Sequence, residues 1–373
     1  MDVNEIAKST PTVLNTRRMG GERVKGRPPL RMVVCIGLVL LAALLLFSLC
    51  INVLGTRINP LPRSLGELSS YLYWKAQIVF HPDSSLAQSH QSQSAPDSFS
   101  QLQTAVFAMF TGIALAVPGV GFQAVFRNPV ASPSVLGVTN ACGTGLAIFV
   151  YLSGSLTIIT AAAVFGAFIC GFASVGLVIA ISAAMSRGRL SADTLLLTGI
   201  VLSALFNAIY LSVLAKMQGS QMSLVNGAFS LGNIGTAPQT LLPALAVGIV
   251  PLWLLRSRIN VLAFGKEQAQ ALGINTRVLS LLILLTSTFL EATIITACGI
   301  IGWVGLVVPH ISRLLVGADV RRVLPMSMLA GAILVLASNI VSQFLHIPVG
   351  TVVAFVGTPL FLYLLAKNRG AVE

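Results

Sequence analysis

Charged side chains are scarce in this sequence. Of its 373 residues only 9% are Asp, Glu, Lys or Arg, whereas 55% are hydrophobic. A soluble domain usually carries about a quarter charged residues. So little charge excludes an ordinary soluble globular domain, and the long apolar runs predict a membrane protein built from several α-helices.

Motifs for catalysis, nucleotide binding and metal binding are also missing. The five cysteines lie in apolar segments without a CxxC pair, so we interpret them as small packed hydrophobic residues. The sequence contains no GxxxxGK[ST] loop to cradle a nucleotide phosphate, and no HExxH motif or aspartate pair within the apolar runs. We therefore predict no catalytic residue, no metal site and no cofactor bound by this chain.

The apolar runs divide the chain into a membrane bundle and polar segments. We predict a basic cytoplasmic tail over 1–31, a first transmembrane helix over 32–54, and a bundle of transmembrane helices over 101–367. The run near 32–54 is too long for the core of a signal peptide, so we expect it to be retained. Residues 55–100 are Ser/Gln-rich in part and predict a partly disordered extracytoplasmic loop.

Ten segments are expected to cross the bilayer. Pro118, Pro309 and Pro325 lie within or beside them and predict kinks and broken helices. Pro129 and Pro133 in "RNPVASP" predict a turn between the second and third spans. The predicted spans are 32–54, 102–124, 134–152, 156–184, 194–215, 238–256, 278–298, 301–317, 323–344 and 348–366.

The placement of the basic residues sets the expected orientation. The formal net charge is +12, which in a soluble protein would suggest a nucleic-acid partner. With ten alternating spans and the N-terminus inside, 19 of the 23 Lys and Arg residues fall on the cytoplasmic side. This distribution follows the positive-inside rule, so both termini are predicted to be cytoplasmic and no nucleic-acid partner is expected.

One polar stretch interrupts the apolar pattern. The sequence "GKEQAQALGINTR" runs from Gly265 to Arg277 between two apolar blocks, on the side predicted to be cytoplasmic. Its first half contains good helix formers, and Gly273 is suited to end a helix there. A short amphipathic helix of this kind either lies on the membrane surface or forms a docking surface.

Four patterns in order resemble one family. They are "FQAVFRNPVASPSVLGV", "GKEQAQALGI", "GIIGWVGLVVPHISRLLVGADVRRVLP" and "IPVGTVVAFVGTPLFLYLL". The region from about 102 to 367 is similar to the FecCD-type permease subunits of binding-protein-dependent ABC importers. These importers carry ferric siderophores, haem or vitamin B12 across the plasma (inner) membrane.

The resemblance implies an all-α subunit of about ten transmembrane helices, similar to the vitamin B12 permease of type II ABC importers. It implies a homodimer, or a pair with a paralogous permease, in the lipid bilayer. Two cytoplasmic ATP-binding subunits would use the ATP, and an extracytoplasmic substrate-binding protein would dock outside.

The resemblance also assigns the polar stretch to coupling with the ATPase. We place a coupling segment at 264–277. The candidates for contact with the ATPase are Lys266, Glu267, Gln268, Gln270 and Ala271. Leu272 and Gly273 are expected to set the packing and the turn.

The outer surface departs from the family pattern. Family arginines at this surface usually pair with carboxylates of the binding protein, but Gln101, Thr104 and Gln343 stand at the matching positions. We keep these three as docking candidates and add Arg63, a cation of the preceding loop. Without charge-assisted pairs, docking is expected to be slower and looser.

Glu291 is a second departure, because it is a carboxylate inside a predicted span. Such groups are costly in a membrane and usually face a cavity or a partner. Two interpretations stand: Glu291 lines the translocation path or pairs across the dimer, or it is a neutral side chain hydrogen-bonded inside the bundle. An ion-coupled secondary transporter that uses Glu291 is the alternative function.

Overall fold

The computed structural model describes residues 30–50, 97–153, 161–185, 192–219, 221 and 238–369. All regular elements of these ranges are α-helices. They are α1 (Leu30–Cys50), α2 (Asp97–Phe126), α3 (Val138–Ser153), α4 (Ala161–Met185), α5 (Ala192–Leu214), α6 (Pro238–Leu254), α7 (Arg256–Phe264), α8 (Lys266–Ala271), α9 (Thr276–Cys298), α10 (Val304–Val316), α11 (Val320–Leu345) and α12 (Val349–Arg369).

The predicted all-α membrane fold is confirmed. Six of the described helices are long and apolar enough to cross a membrane, and α6 with α7 forms a bent pair that gives a seventh. Three shorter apolar helices, α3, α10 and α12, lie where the remaining three spans were predicted, and the count of ten spans stays a prediction. The tail before α1 and most of the predicted loop over 55–100 lie outside the described residues, although α2 already begins at Asp97.

Helix α2 lies at the centre of the bundle, where glycines bring it very close to two neighbours. A Cβ atom added to Gly112 would lie 2.0 Å from the carbonyl oxygen of Gly331 in α11. One added to Gly119 would lie 1.8 Å from the carbonyl oxygen of Gly305 in α10. Membrane helices gain most of their association energy from such close packing, because lipid tails are as apolar as the side chains.

Two hydrogen bonds define one end of the bundle. The Asn260 Oδ1 atom of α7 accepts from the backbone N–H of Val320, 2.8 Å away, where α11 begins. The Arg313 guanidinium near the end of α10 donates to Gln123 Oε1 near the end of α2. Both bonds lie at the same end because α10 ends only a few residues before α11 begins. We call this end, which carries α8, the α8 end. The chain arrives at this end along α2 and leaves it along α11, so these two helices are antiparallel.

The break between α6 and α7 is a bend of 58°. It lies at Leu255, one turn after Pro251 of α6, a proline that was not among those predicted to kink a helix. The guanidinium of Arg256 lies 4.5 Å from the centre of the Trp253 ring and donates to the Trp253 carbonyl oxygen. These contacts hold the chain where it turns from the membrane towards α8.

The segment "RNPVASP" forms the turn that the sequence predicted between the second and third spans. The chain leaves α2 at Phe126 and enters α3 at Val138. Within the turn, Asn128 Oδ1 accepts from the backbone N–H of Val130 at 2.9 Å. Arg127, the first residue after α2, has a φ of 50°, which is rare for a residue with a side chain.

Candidate coupling site

Helix α8 presents a continuous exposed surface on a buried support. Ala269 is 0% exposed and faces the bundle. The seven predicted contact and turn residues are all exposed, namely Lys266, Glu267, Gln268, Gln270, Ala271, Leu272 and Gly273. The predicted residues therefore lie together on the exposed surface around Ala269, and their contact with an ATPase stays a prediction.

Gly273 ends α8 in the way the sequence predicted. Its φ of 74° lies in the left-handed region that favours glycine. The backbone N–H of Gly273 bonds to the Gln270 carbonyl, and that of Ile274 bonds to the Ala269 carbonyl, both at 2.9 Å. These two bonds form a Schellman motif, which satisfies carbonyl groups that a short helix would otherwise leave free. The chain is thereby turned directly into α9.

The base of α8 is tied to the membrane bundle at two points. In α7, Ile259 and Leu262 are buried, and the Asn260–Val320 hydrogen bond connects α7 to the start of α11. On the other side, Gln270 Nε2 donates to Thr276 Oγ1 at 3.3 Å, at the start of α9. Helix α8 therefore contacts the start of α9 directly and is connected through α7 to the start of α11.

Two exposed apolar residues flank α8. Phe264 is 66% exposed and Leu272 is 70% exposed. Leu272 was predicted to help set the packing of the turn, but its side chain points away from the bundle. Phe264 was missed as a contact candidate, because an apolar residue at the end of an apolar run gives no signal of its own. Both side chains are available to a protein partner.

Glu291 lies inside the subunit. It is 3% exposed in α9, and its Oε1 atom accepts a hydrogen bond from Thr139 Oγ1 of α3 at 2.6 Å. The carboxyl group therefore has a partner within the same chain. This arrangement matches the geometry of the second interpretation, a hydrogen-bonded side chain within the bundle, while the path role stays a prediction.

The docking candidates lie at the end of the bundle opposite α8. At 1.5 Å of rise per residue, Gln101 in α2 lies about 17 Å and Gln343 in α11 about 18 Å from the Gly112–Gly331 crossing. Because the two helices are antiparallel, both residues are at the same end. Thr104 is on α2, one turn further in, and Arg63 lies outside the described residues.

Two side-chain arrangements near the α8 end were not foreseen. The Gln123–Arg313 pair joins two of the motifs, and nothing in either motif alone indicated that they meet. The Nε2 atom of His310 in α10 is buried without a hydrogen-bond partner among the described residues. Among the described residues, no three side chains of His, Cys, Asp or Glu come together in a metal-binding group.

Curated proteins resemble the chain over most of its length. A probable iron chelatin transport system permease protein of Helicobacter pylori is 33% identical over 278 residues, which is 72% of this chain and 82% of the relative. The hemin transport system permease protein HmuU of Yersinia pestis is 34% identical over 279 residues, again 72% of this chain and 82% of the relative.

A solved structure has the same fold. It is described as a metal-chelate type ABC transporter in an inward-facing conformation. It is 26% identical, has a TM-score of 0.67, and covers 91% of this chain and 100% of that one. The model of the FecCD transport family matches residues 74–367. These matches include the helices that hold α8 and Gly273, and the chain belongs to the FecCD transport family, as a membrane-spanning permease of an ABC importer.

Proposed function

We propose that the chain is the permease subunit of an importer for an iron chelate, haem or a corrinoid, driven by a separate ATPase. The observation that carries this proposal is the exposed surface of α8, which is bonded to the start of α9 and connected through α7 to the start of α11. A rigid helix at the surface can convert closure of an ATPase into rocking of the membrane helices. The names of the relatives, which refer to iron chelatin and hemin, support the substrate class.

The remaining parts of the proposal follow from the two ends of the bundle. The α8 end faces the cytoplasm, as the distribution of basic residues predicts, and both termini are cytoplasmic. A substrate-binding protein docks at the opposite end, near Gln101, Thr104 and Gln343. A second copy of the chain, or a paralogous permease, completes the translocation path. The complex resides in the plasma (inner) membrane.

The energy source and the substrate class are tested together in native cells. Uptake of a labelled ferric chelate, haem and cyanocobalamin is compared in cells with and without this chain. We expect one uptake activity to disappear with the chain, to stop when ATP is depleted, and to survive an uncoupler. Uptake that survives ATP depletion and stops with the uncoupler would instead support the ion-coupled transporter. Three unchanged activities would refute the substrate class.

Variants at Glu291 separate the two interpretations of this residue. Glu291→Gln keeps an oxygen that accepts from Thr139, so we expect normal yield and import within about twofold of wild type at acidic and alkaline pH. Glu291→Leu removes the acceptor and is expected to lower stability by about 1 kcal/mol. Uptake assays over a pH series check this result. If import by the Gln variant collapses while its folding is unchanged, the carboxyl acts in the path.

A further inference from the structure

A cavity at the α8 end is not explained by coupling to an ATPase. Its volume is about 530 Å³, within the range of small-molecule sites. It lies between the end of α2 and helices α4, α5 and α9, with Lys266 of α8 also contributing to its lining. The cavity therefore extends from the predicted cytoplasmic surface towards the membrane interior.

Two cations line this cavity. Arg127 follows α2 and Lys266 begins α8, and both residues are exposed. Within the described ranges, neither side chain has an ion-pair or hydrogen-bond partner. Two uncompensated positive charges that converge on one cavity favour an anionic ligand.

The backbone of Arg127 supports a role for its charge. Its φ of 50° places it in the left-handed region, at the position after α2 where a helix commonly ends in glycine. The backbone N–H of Asn128 bonds to the Gln123 carbonyl at 3.2 Å across this turn. A left-handed residue with a side chain costs about 1 to 2 kcal/mol. Arg127 therefore places a cation at a position where glycine would cause less backbone strain.

The rest of the lining is mainly apolar. Phe126, Ile179 and Leu284 come from three different helices. Ser280 adds a hydroxyl whose oxygen is buried without a partner among the described residues. A ligand for this cavity thus needs a negative group at the surface, a hydrogen-bonding oxygen below it and an apolar part within the membrane.

We propose that this cavity binds the headgroup and upper acyl chains of an anionic phospholipid. Basic pockets between membrane helices on the cytoplasmic side recognise such headgroups. Arg127 and Lys266 hold the phosphate, Ser280 donates to an ester or phosphate oxygen, and the apolar wall covers the chains. This site is separate from the transported substrate and does not depend on which substrate is carried.

Binding is measured on the full-length protein purified in a neutral detergent. The probes are dioleoylphosphatidylglycerol, dioleoylphosphatidylcholine with the same chains, and glycerol 1-phosphate without chains. Lipid adducts are counted by native mass spectrometry, and stabilisation is followed by thermal unfolding. We expect only phosphatidylglycerol to bind tightly. Each cation removed should weaken its binding about fivefold.

The variants are chosen to keep the fold intact. Arg127→Gly relieves the left-handed strain, so it should fold at least as well as wild type while binding phosphatidylglycerol about fivefold more weakly. Lys266→Gln should have a similar effect on lipid binding. Arg258→Gln is the control, because Arg258 is an exposed cation of α7 that does not line the cavity, and it should bind lipid normally.

Three results would overturn the proposal. The first is equal binding of phosphatidylcholine, and the second is equal binding of glycerol 1-phosphate, which would indicate a site for a free anion. The third is an Arg127→Gly variant that binds phosphatidylglycerol normally. If that variant also loses the ATPase that co-purifies with wild type, the two cations serve an acidic surface of the ATPase instead.

Discussion

Replacing Gly112 with alanine, the smallest possible addition, is expected to prevent the bundle from folding correctly. The new Cβ atom would lie 2.0 Å from the Gly331 carbonyl oxygen and 2.9 Å from the Ala332 nitrogen. Both are backbone atoms, so no side chain can rotate away and α2 and α11 must separate. We expect a loss of about 3 kcal/mol or more, at the upper end of the cost of overpacking a core.

The matched control is the same substitution at Gly176. This glycine is also inside a helix, α4, but an added Cβ atom would meet nothing within 4 Å. Alanine should be neutral there or stabilise the helix by up to about 1 kcal/mol, because glycine loses more conformational freedom on folding. The yield of monodisperse protein and the midpoint of thermal unfolding in detergent are measured for both variants. Equal midpoints would contradict the close packing of α2 on α11.

This crossing also matters for how the bundle moves. Helix α2 touches α11 through Gly112 and α10 through Gly119, and its end is joined to α10 by the Gln123–Arg313 pair. Backbone contacts of this kind cannot deform gradually. A motion that starts at α8 is therefore expected to move α2, α10 and α11 as one unit, while helices with looser contacts move relative to them.

The sequence predicted those parts of the fold that depend on local chemistry. In a bilayer each spanning helix must satisfy its own backbone, so apolar runs alone locate the helices. The prediction for α8 also depended on local chemistry alone. Helix formers from Lys266 to Ala271 followed by Gly273 specify a short helix and its left-handed end. The exposed surface of this candidate site followed directly from these residues.

The sequence could not predict features that depend on residues distant in the chain. Neither Asn260 nor Val320 gives a signal within its own helix. Their hydrogen bond exists only because α7 packs against the start of α11. The left-handed conformation of Arg127 was hidden because arginine gives no turn signal. The main bend follows Pro251 of α6, which was not among the prolines predicted to kink a helix. Pro118, Pro309 and Pro325 lie inside continuous helices, since neighbouring groups can bind the carbonyl that proline frees.

The Gly273→Asp variant is expected to fold normally and to lose coupling to the ATPase. An added Cβ atom at Gly273 meets nothing within 4 Å, and Asp tolerates the left-handed conformation better than most residues. The Schellman turn should therefore persist. The new carboxylate would be placed on the exposed face, next to the apolar Leu272 side chain. Burying an unpaired charge against a partner is costly, so we expect stimulated ATP hydrolysis to fall at least tenfold, about 1.4 kcal/mol.

Two further variants show whether such a loss comes from the surface or from the turn. Gly273→Asn keeps the tolerance for a left-handed backbone without the charge, so it should retain more activity than Gly273→Asp. Gly302→Asp adds the same carboxylate between α9 and α10, where an added Cβ atom also meets nothing within 4 Å. The ATPase that co-purifies with wild type from its native membrane is assayed with each variant.

The pattern of losses across these variants identifies what α8 does. If Gly273→Asp loses stimulation, Gly273→Asn is intermediate and Gly302→Asp is normal, then the partner covers the surface that contains Leu272 and Gly273. If Gly273→Asn loses as much stimulation as Gly273→Asp, the backbone of the turn itself must be deformable during the cycle. If Gly273→Asp binds the ATPase and stimulates ATP hydrolysis as well as wild type does, α8 lies outside the contact with the ATPase. Coupling would then have to pass through another surface of the same end, and the hydrogen bond between α8 and the start of α9 would serve stability alone.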